Sequence, residues 1–105
     1  MGPFVHLTVL RMNPEATEAL IVRVRTMLET LPVVQPRGHL GATILVTDDA
    51  SRMAVVTEWR DRHDWAHAQW DQKIQETVVD IFKTAEHVET LSYTEVFRYE
   101  LPREG

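Results

Sequence analysis

The side chains of this sequence able to move protons near neutral pH are its five histidines. Two of them stand four apart, in the run His63-Asp64-Trp65-Ala66-His67. On a helix that spacing puts both rings on one face, within reach of a single metal ion. The string is one methylene short of the zincin pattern His-Glu-x-x-His. No third ligand is evident, the helix has barely begun at His63, and Asp is shorter than the usual general base. The pair therefore reads as a polar first turn, and no metal site is expected. His67 by itself is a candidate base, because imidazole can deprotonate a phenol or orient a carbonyl. The plain alternative is an exposed helix histidine.

His6 and Thr8 are polar residues on an apolar strand, and His39, Thr43 and Thr57 are expected to share their face. Buried polar groups need partners. A ligand with hydroxyl and keto groups would supply them, and so would water or one another. All three tryptophans, Trp59, Trp65 and Trp70, fall within one short stretch. Flat rings suit a flat aromatic substrate, since offset stacking adds ~0.5–1.5 kcal/mol beyond area burial. Core packing is the competing role, above all for Trp70, which heads an apolar helical stripe.

Other chemistries are missing. There is no cysteine, so disulfides, thiol catalysis and iron–sulfur ligation are excluded. The four glycines, Gly2, Gly38, Gly41 and Gly105, are too scattered to cradle a phosphate. Neither a Ser-His-Asp arrangement nor a dinucleotide fingerprint occurs, and no cofactor is expected. Eleven basic against sixteen acidic residues leave a formal charge of −5, the wrong sign for a nucleic-acid binder. Apolar runs fall far short of the ~20 residues that span a bilayer. The first residues lack a secretory signal's pattern, and we expect a cytoplasmic protein.

The elements that must hold these residues follow from periodicity. Phe4–Met12 alternates as a strand, with Val5, Leu7 and Val9 on one side and Phe4, His6, Thr8 and Leu10 on the other. Asn13, Pro14 and Glu15 suit the cap and first turn of a helix, with Ala16, Leu20, Val24, Met27, Leu28 and Leu31 as its stripe. Pro32 is expected to end it, and Val33–Gly38 reads as a loop. His39–Thr47 and Arg52–Arg60 form a hairpin over Asp48-Asp49-Ala50-Ser51. Asp61 caps a second helix, whose stripe is Trp70, Ile74, Val78, Ile81, Phe82 and Ala85. A single helix over Arg62–Glu86 would be about 37 Å long, so a bend or break is expected near Asp71–Gln75. Glu89–Glu100 alternates as the last strand, with Leu91, Tyr93, Phe97 and Tyr99 on one face, before the tail Leu101–Gly105.

With 105 residues, the chain is read as a single domain, 1–105. The order β-α-β-β-α-β gives an α+β fold, a ferredoxin-like antiparallel sheet with both helices on one face. The strands carry apolar residues on both sides, so the uncovered face needs a second layer. An identical chain is the simplest supplier, as a homodimer. The strand charges Glu58, Glu95 and Arg98 are expected at that interface or in solvent.

At this point the sequence resembles the antibiotic biosynthesis monooxygenase (ABM) domain family, within the dimeric α/β-barrel superfamily. Pro36-Arg37-Gly38-His39-Leu40 is like the family's turn into its second strand. Val56-Thr57-Glu58-Trp59-Arg60-Asp61 is like the end of its third strand, and Trp65-Ala66-His67 is like the Ala-His pair on its following helix. The resemblance covers residues 4–99 and implies a dimeric α/β barrel with a pocket between sheet and helices in each subunit. It places His67 near the pocket mouth. Members include cofactor-free oxygenases of polycyclic phenols. Others degrade haem with an Asn on the first strand and a Trp and a His further on; here the first strand has no Asn, and Ala68 and Val78 occupy the other two positions.

The expected function is a cofactor-independent monooxygenase of an aromatic, phenolic or quinonoid metabolite. His67 or His6 would be the base, Trp59, Trp65, Trp70 and His39 the substrate contacts, and O₂ the co-substrate. The alternatives are a polyketide cyclase or isomerase on the same scaffold, and a non-catalytic binding dimer.

Overall fold

Strand β1, Phe4–Arg11, is the central ribbon of a computed structural model that describes residues 3–34 and 37–102. Its alternation is the expected one. Phe4 and Leu10 are buried beneath the helices, whereas Val5, Leu7 and Val9 lie on the other side, half-buried. After β1 the Asn13 side chain accepts a hydrogen bond from the Glu15 backbone N–H at 3.0 Å and starts a short 3-10 turn, Pro14–Ala16. Helix α1, Thr17–Val34, follows directly. The buried Thr17 hydroxyl donates to the Ala50 carbonyl at 2.7 Å, which ties the start of α1 to the hairpin turn.

Pro32 does not end α1. In the last turn the ring removes one hydrogen bond, to the Leu28 carbonyl, at a place where few remain to be lost. Burial beside Phe4, Trp59 and Ile74 holds Leu31, the residue before the proline, helical.

Strands β2, His39–Val46, and β3, Arg52–Trp59, form the hairpin. Its turn is closed by the Asp49 carboxylate, which accepts from the Thr47 hydroxyl at 2.8 Å, the Ser51 hydroxyl at 2.7 Å and the Ser51 N–H at 3.0 Å. Those donors hold the Asp49 pKa down at about 2. β2 carries a bulge between His39 and Gly41. The extra residue, Leu40, is squeezed out and 58% exposed. The bulge leaves His39 opposite Trp59 on the helix side and Thr43 opposite Val56 on the open side. Thr43 therefore does not share the face of His6 and Thr57.

The expected break in the long helix is present. Helix α2, Arg62–Gln69, is capped by Asp61, which accepts from the Asp64 N–H at 2.9 Å. Helix α3, Gln72–Thr84, is capped by Asp71, which accepts from the Ile74 N–H at 3.0 Å. Trp70 belongs to the end of α2 and is 70% exposed, so the core stripe begins at Ile74 instead.

The last strand, β4, covers His87–Thr94 rather than reaching Glu100. It pairs antiparallel with β1, from Arg11↔His87 to Phe4↔Thr94. One further bond, from the Glu95 N–H to the Pro3 carbonyl at 2.9 Å, completes the ladder. Pro3 has no N–H to return it, and the pairing stops there. Phe97 and Tyr99, expected in the strand, are 80% and 74% exposed in the segment beyond it. Arg98 pins that segment, pairing with Glu95 at 2.7 Å and with Glu58 of β3 at 3.3 Å.

The sheet order is β2-β3-β1-β4, antiparallel throughout, giving the α+β, ferredoxin-like arrangement. Leu10, Met53, Val55, Leu20, Val24 and Ile81 form one core group between the sheet and α1 and α3. Phe4, Trp59, Leu31, Ala68 and Ile74 form a second beside α2. Among the described residues no helix lies on the opposite face. There Leu45, Leu91 and Tyr93 are 54%, 47% and 50% exposed. No helix among the described residues is long and apolar enough to cross a membrane.

Candidate functional site

The two core groups do not quite meet. Between them, under α1 and α3, lies a cavity of about 80 Å³. Strand register and helical period order its lining. At one end stand His6 and Thr57, paired across β1 and β3, with Trp59, Trp65 and Gln69. Thr8 and Val55, again a cross-strand pair, occupy the middle with Met27 and Val78. Leu10, Val24, Ile81 and Phe82 close the other end. The cavity thus has a polar end and an apolar end, set out along β1 over about 13 Å at the usual rise per strand residue.

Among the described residues of this lining, His6 is the titratable side chain. Burial lowers its pKa below the ordinary 6.5, so the imidazole is neutral at pH 7. Its Nδ1 lies 3.4 Å from the Ser92 hydroxyl, on the neighbouring β4. Nε2 makes no hydrogen bond within the described residues. The Trp65 indole lies over the ring, with centroids 4.7 Å apart and planes 32° apart, and is itself backed by Phe4 at 5.4 Å. Trp65 is half-buried and Gln69 lies one turn further along the same face of α2.

Trp59 has a structural task as well as a place in the lining. It is 1% exposed, and its indole N–H donates to the Thr57 hydroxyl at 3.0 Å. That hydroxyl in turn points to the His6 carbonyl at 3.5 Å. The chain of contacts fixes the height of β3 against β1 just where His6 projects.

α2 is seated by a close approach. Gly38 has φ +85° and accepts from the Arg60 N–H at 2.6 Å. A Cβ at Gly38 would overlap the Asp64 carboxylate and stand 2.6 Å from Asp64 Cβ. Asp64 is buried, with Oδ2 2.8 Å from Arg60 Nη2 in an ion pair that is not aligned as a hydrogen bond. This corner holds the first turn of α2, and therefore Trp65, against the sheet.

The other sequence candidates lie elsewhere. His39 stands edge-on to Trp59 at 4.7 Å and does not line the cavity. Its Nδ1 is buried without a partner among the described residues, and burial lowers its pKa. His67 is exposed on the outer side of α2, between His63 at 6.5 Å and Trp70 at 5.7 Å. Trp70 faces a shallow surface groove with Val79 and Lys83. Among the described residues no three His, Asp or Glu side chains come together as metal ligands would.

The structure thus brings together His6, Trp59 and Trp65 and leaves out His39, His67 and Trp70. Sequence reasoning did not single out Gln69 or Ser92. Gln69 was detectable as the residue four beyond Trp65. Ser92 was not, since only the β1–β4 register sets it opposite His6.

In sequence, no curated protein is significantly similar to the chain. In structure, it superposes on a candidate antibiotic biosynthesis monooxygenase from Nitrosomonas europaea with TM-score 0.79 and 16% identity, over 92% of this chain and 94% of that one. Rv0793 from Mycobacterium tuberculosis gives TM-score 0.78 and 11% identity, over 94% and 100%. A conserved protein from Methanosarcina mazei gives 0.77 and 11%, over 90% and 94%. At such identities the likeness carries the fold alone. The sequence pattern of the antibiotic biosynthesis monooxygenase family matches residues 3–80, most of the strand–helix framework including β1, β3 and α2, and the chain belongs to that family.

Proposed function

We propose that the protein is a cofactor-independent monooxygenase of a phenolic or quinol-type small molecule, with His6 as the base. The observation that carries the reading is a neutral imidazole at the polar end of an otherwise largely apolar cavity, beside the Ser92 hydroxyl through one nitrogen and, among the described residues, without a partner at the other. A hydroxyl of the substrate placed at Nε2 gives up its proton there. The anion, kept from water by the apolar walls, transfers electrons to O₂ and a C–O bond forms at a ring carbon. For a hydroquinone, the resulting hydroperoxide loses water as its O–O bond and the C–H bond beside it break. One oxygen atom stays on the ring, the other leaves as water, and hydroquinone plus O₂ becomes hydroxyquinone plus H₂O. The substrate supplies all four electrons, so no external reductant is needed. Thr8 and Gln69 are the polar neighbours for its remaining oxygens.

The reading includes a homodimer. Val5, Leu7, Val9, Val56, Leu45, Leu91 and Tyr93 make the open face of the sheet apolar, and a second copy packed face to face would cover it. His67 and Trp70 have no part in the chemistry of one subunit's cavity.

The test is oxygen uptake and ¹⁸O incorporation with a series of hydroquinones and anthrone, using protein freed of metal and flavin. His6→Gln should lower turnover by about 10²–10⁴-fold, the usual contribution of a general base, whereas His67→Gln should retain it. Ketone rearrangement without oxygen uptake would instead assign an isomerase or cyclase. Binding without turnover would assign a ligand-binding dimer. Either result, or full activity in His6→Gln, refutes the proposal.

A further inference from the structure

The size of the cavity has consequences for what it accepts. At about 80 Å³ it is well under the ~300 Å³ at which ordinary ligand pockets begin. It is also smaller than the ~150 Å³ apolar cavity that suffices for benzene. We propose that this site takes a substrate of a single aromatic ring, a dihydroxybenzene of the hydroquinone type, and that Phe82 and Val78 on α3 set the limit. The inference rests on the cavity being the substrate site and adds the class of substrate it admits.

The two ends give under different constraints. Met27 lines the middle of the cavity and packs against both core groups. It is half-buried, unbranched and adaptable, so a modest repacking there makes room for one ring. A second ring fused to the first would have to extend along β1 towards Leu10. That direction is closed by Ile81, 3% exposed, and by Phe82 and Val78 beside it. A close-packed core does not yield a whole ring's volume without displacing a helix. Extension the other way meets the Trp65 indole, already stacked on His6 and backed by Phe4. With one hydroxyl at His6 Nε2, the para hydroxyl on the far side of a single ring reaches the level of Thr8 and Val55.

Phe82→Ala removes from the apolar end a ring the size of the one it would admit. Val78→Ala opens the middle by less and touches a half-buried residue, so it serves if Phe82→Ala does not fold, as judged by circular dichroism and thermal melting. Val79→Ala, on the outer side of α3, is the control. Binding is measured anaerobically by calorimetry, with hydroquinone, 1,4-dihydroxynaphthalene and anthrone as probes, so that turnover plays no part.

The wild type should bind hydroquinone about a hundredfold or more tighter than either larger probe, at the upper range of what pocket size discriminates. Phe82→Ala or Val78→Ala should narrow that ratio by about tenfold or more, and Val79→Ala should leave it alone. Equal binding of all three probes by the wild type overturns the size limit and leaves the monooxygenase reading standing. A ratio unchanged in the folded cavity variants overturns the assignment to Phe82 and Val78. Selective binding of hydroquinone without oxygen uptake upholds the size limit and overturns the monooxygenase reading. Absence of binding by every probe overturns both.

Discussion

Gly38→Ala tests the seating of α2, and through it the position of Trp65 over His6. Two costs arise at once. A side chain at φ +85° carries a left-handed penalty of roughly 1–2 kcal/mol. The new methyl also overlaps the Asp64 carboxylate and stands 2.6 Å from Asp64 Cβ, closer than real Cβ atoms approach. Asp64 is 4% exposed and ion-paired with Arg60 at 2.8 Å, so it cannot swing freely into water. Such overpacking typically costs ~1–3 kcal/mol. The sum is about 2–5 kcal/mol, a large share of the ~5–15 kcal/mol that holds a domain folded. The expected fall in Tm is about 10–30 °C. Chemical denaturation of wild type, Gly38→Ala, Asp64→Ala and the double variant completes the cycle. The overlap should appear as a coupling of about 1–3 kcal/mol, with the backbone penalty remaining in the double variant. Gly41→Ala is the control, because its added Cβ meets nothing within 4 Å. A Gly38→Ala protein within about 0.5 kcal/mol of wild type, the usual range for an innocuous surface change, refutes the reasoning, as would additivity with Asp64→Ala.

Stability should depend on His6 and His39. Burial lowers both pKa values in the folded chain, while the unfolded chain takes up protons near 6.5. Their contribution is therefore fully present above about pH 6.5 and is lost as pH falls below it. Urea midpoints across that range should show a slope that flattens in the His6→Gln, His39→Gln double variant, and an unaltered slope rejects the assignment. Turnover dependent on neutral His6 should rise with a midpoint below pH 6.5, and a rise centred above 6.5 would contradict the role of burial. Leu91→Arg, in the middle of the open sheet face, should shift sedimentation from dimer to monomer; a wild type that sediments as a monomer disposes of the covered face. Trp70→Ala should change stability by no more than about 0.5 kcal/mol, since the indole is 70% exposed. A loss of several kcal/mol would return Trp70 to the core.

The fold was legible because its signals are local. Alternation in Phe4–Met12, the caps at Asn13 and Asp61, and the three-and-four spacing from Ile74 to Phe82 each report on neighbours a few residues away. They gave the order of elements, and the excessive length of a single helix over Arg62–Glu86 gave the break between α2 and α3. The errors concern long-range matters. Glu95–Glu100 alternates like a strand, yet the ladder with β1 ends at Pro3, which has no N–H to return the bond from Glu95. The bulge at Leu40 reverses the face of Thr43. Pro32 remains helical because Leu31 is buried against another element.

Sequence alone therefore determined the α+β framework, the family, the apolar character of both sheet faces and the histidines and tryptophans available for chemistry. Which of them meet was decided by tertiary structure. His6 and His67 are equally plausible bases as residue types; register puts one beside Ser92 under Trp65, and helix rotation puts the other in solvent. The size of the cavity was likewise beyond reach of the sequence, because it is the gap left when Met27, Val78 and Phe82 from two helices settle on β1 and β3. A gap of that kind is a difference between packed volumes from distant segments, and no local pattern encodes it.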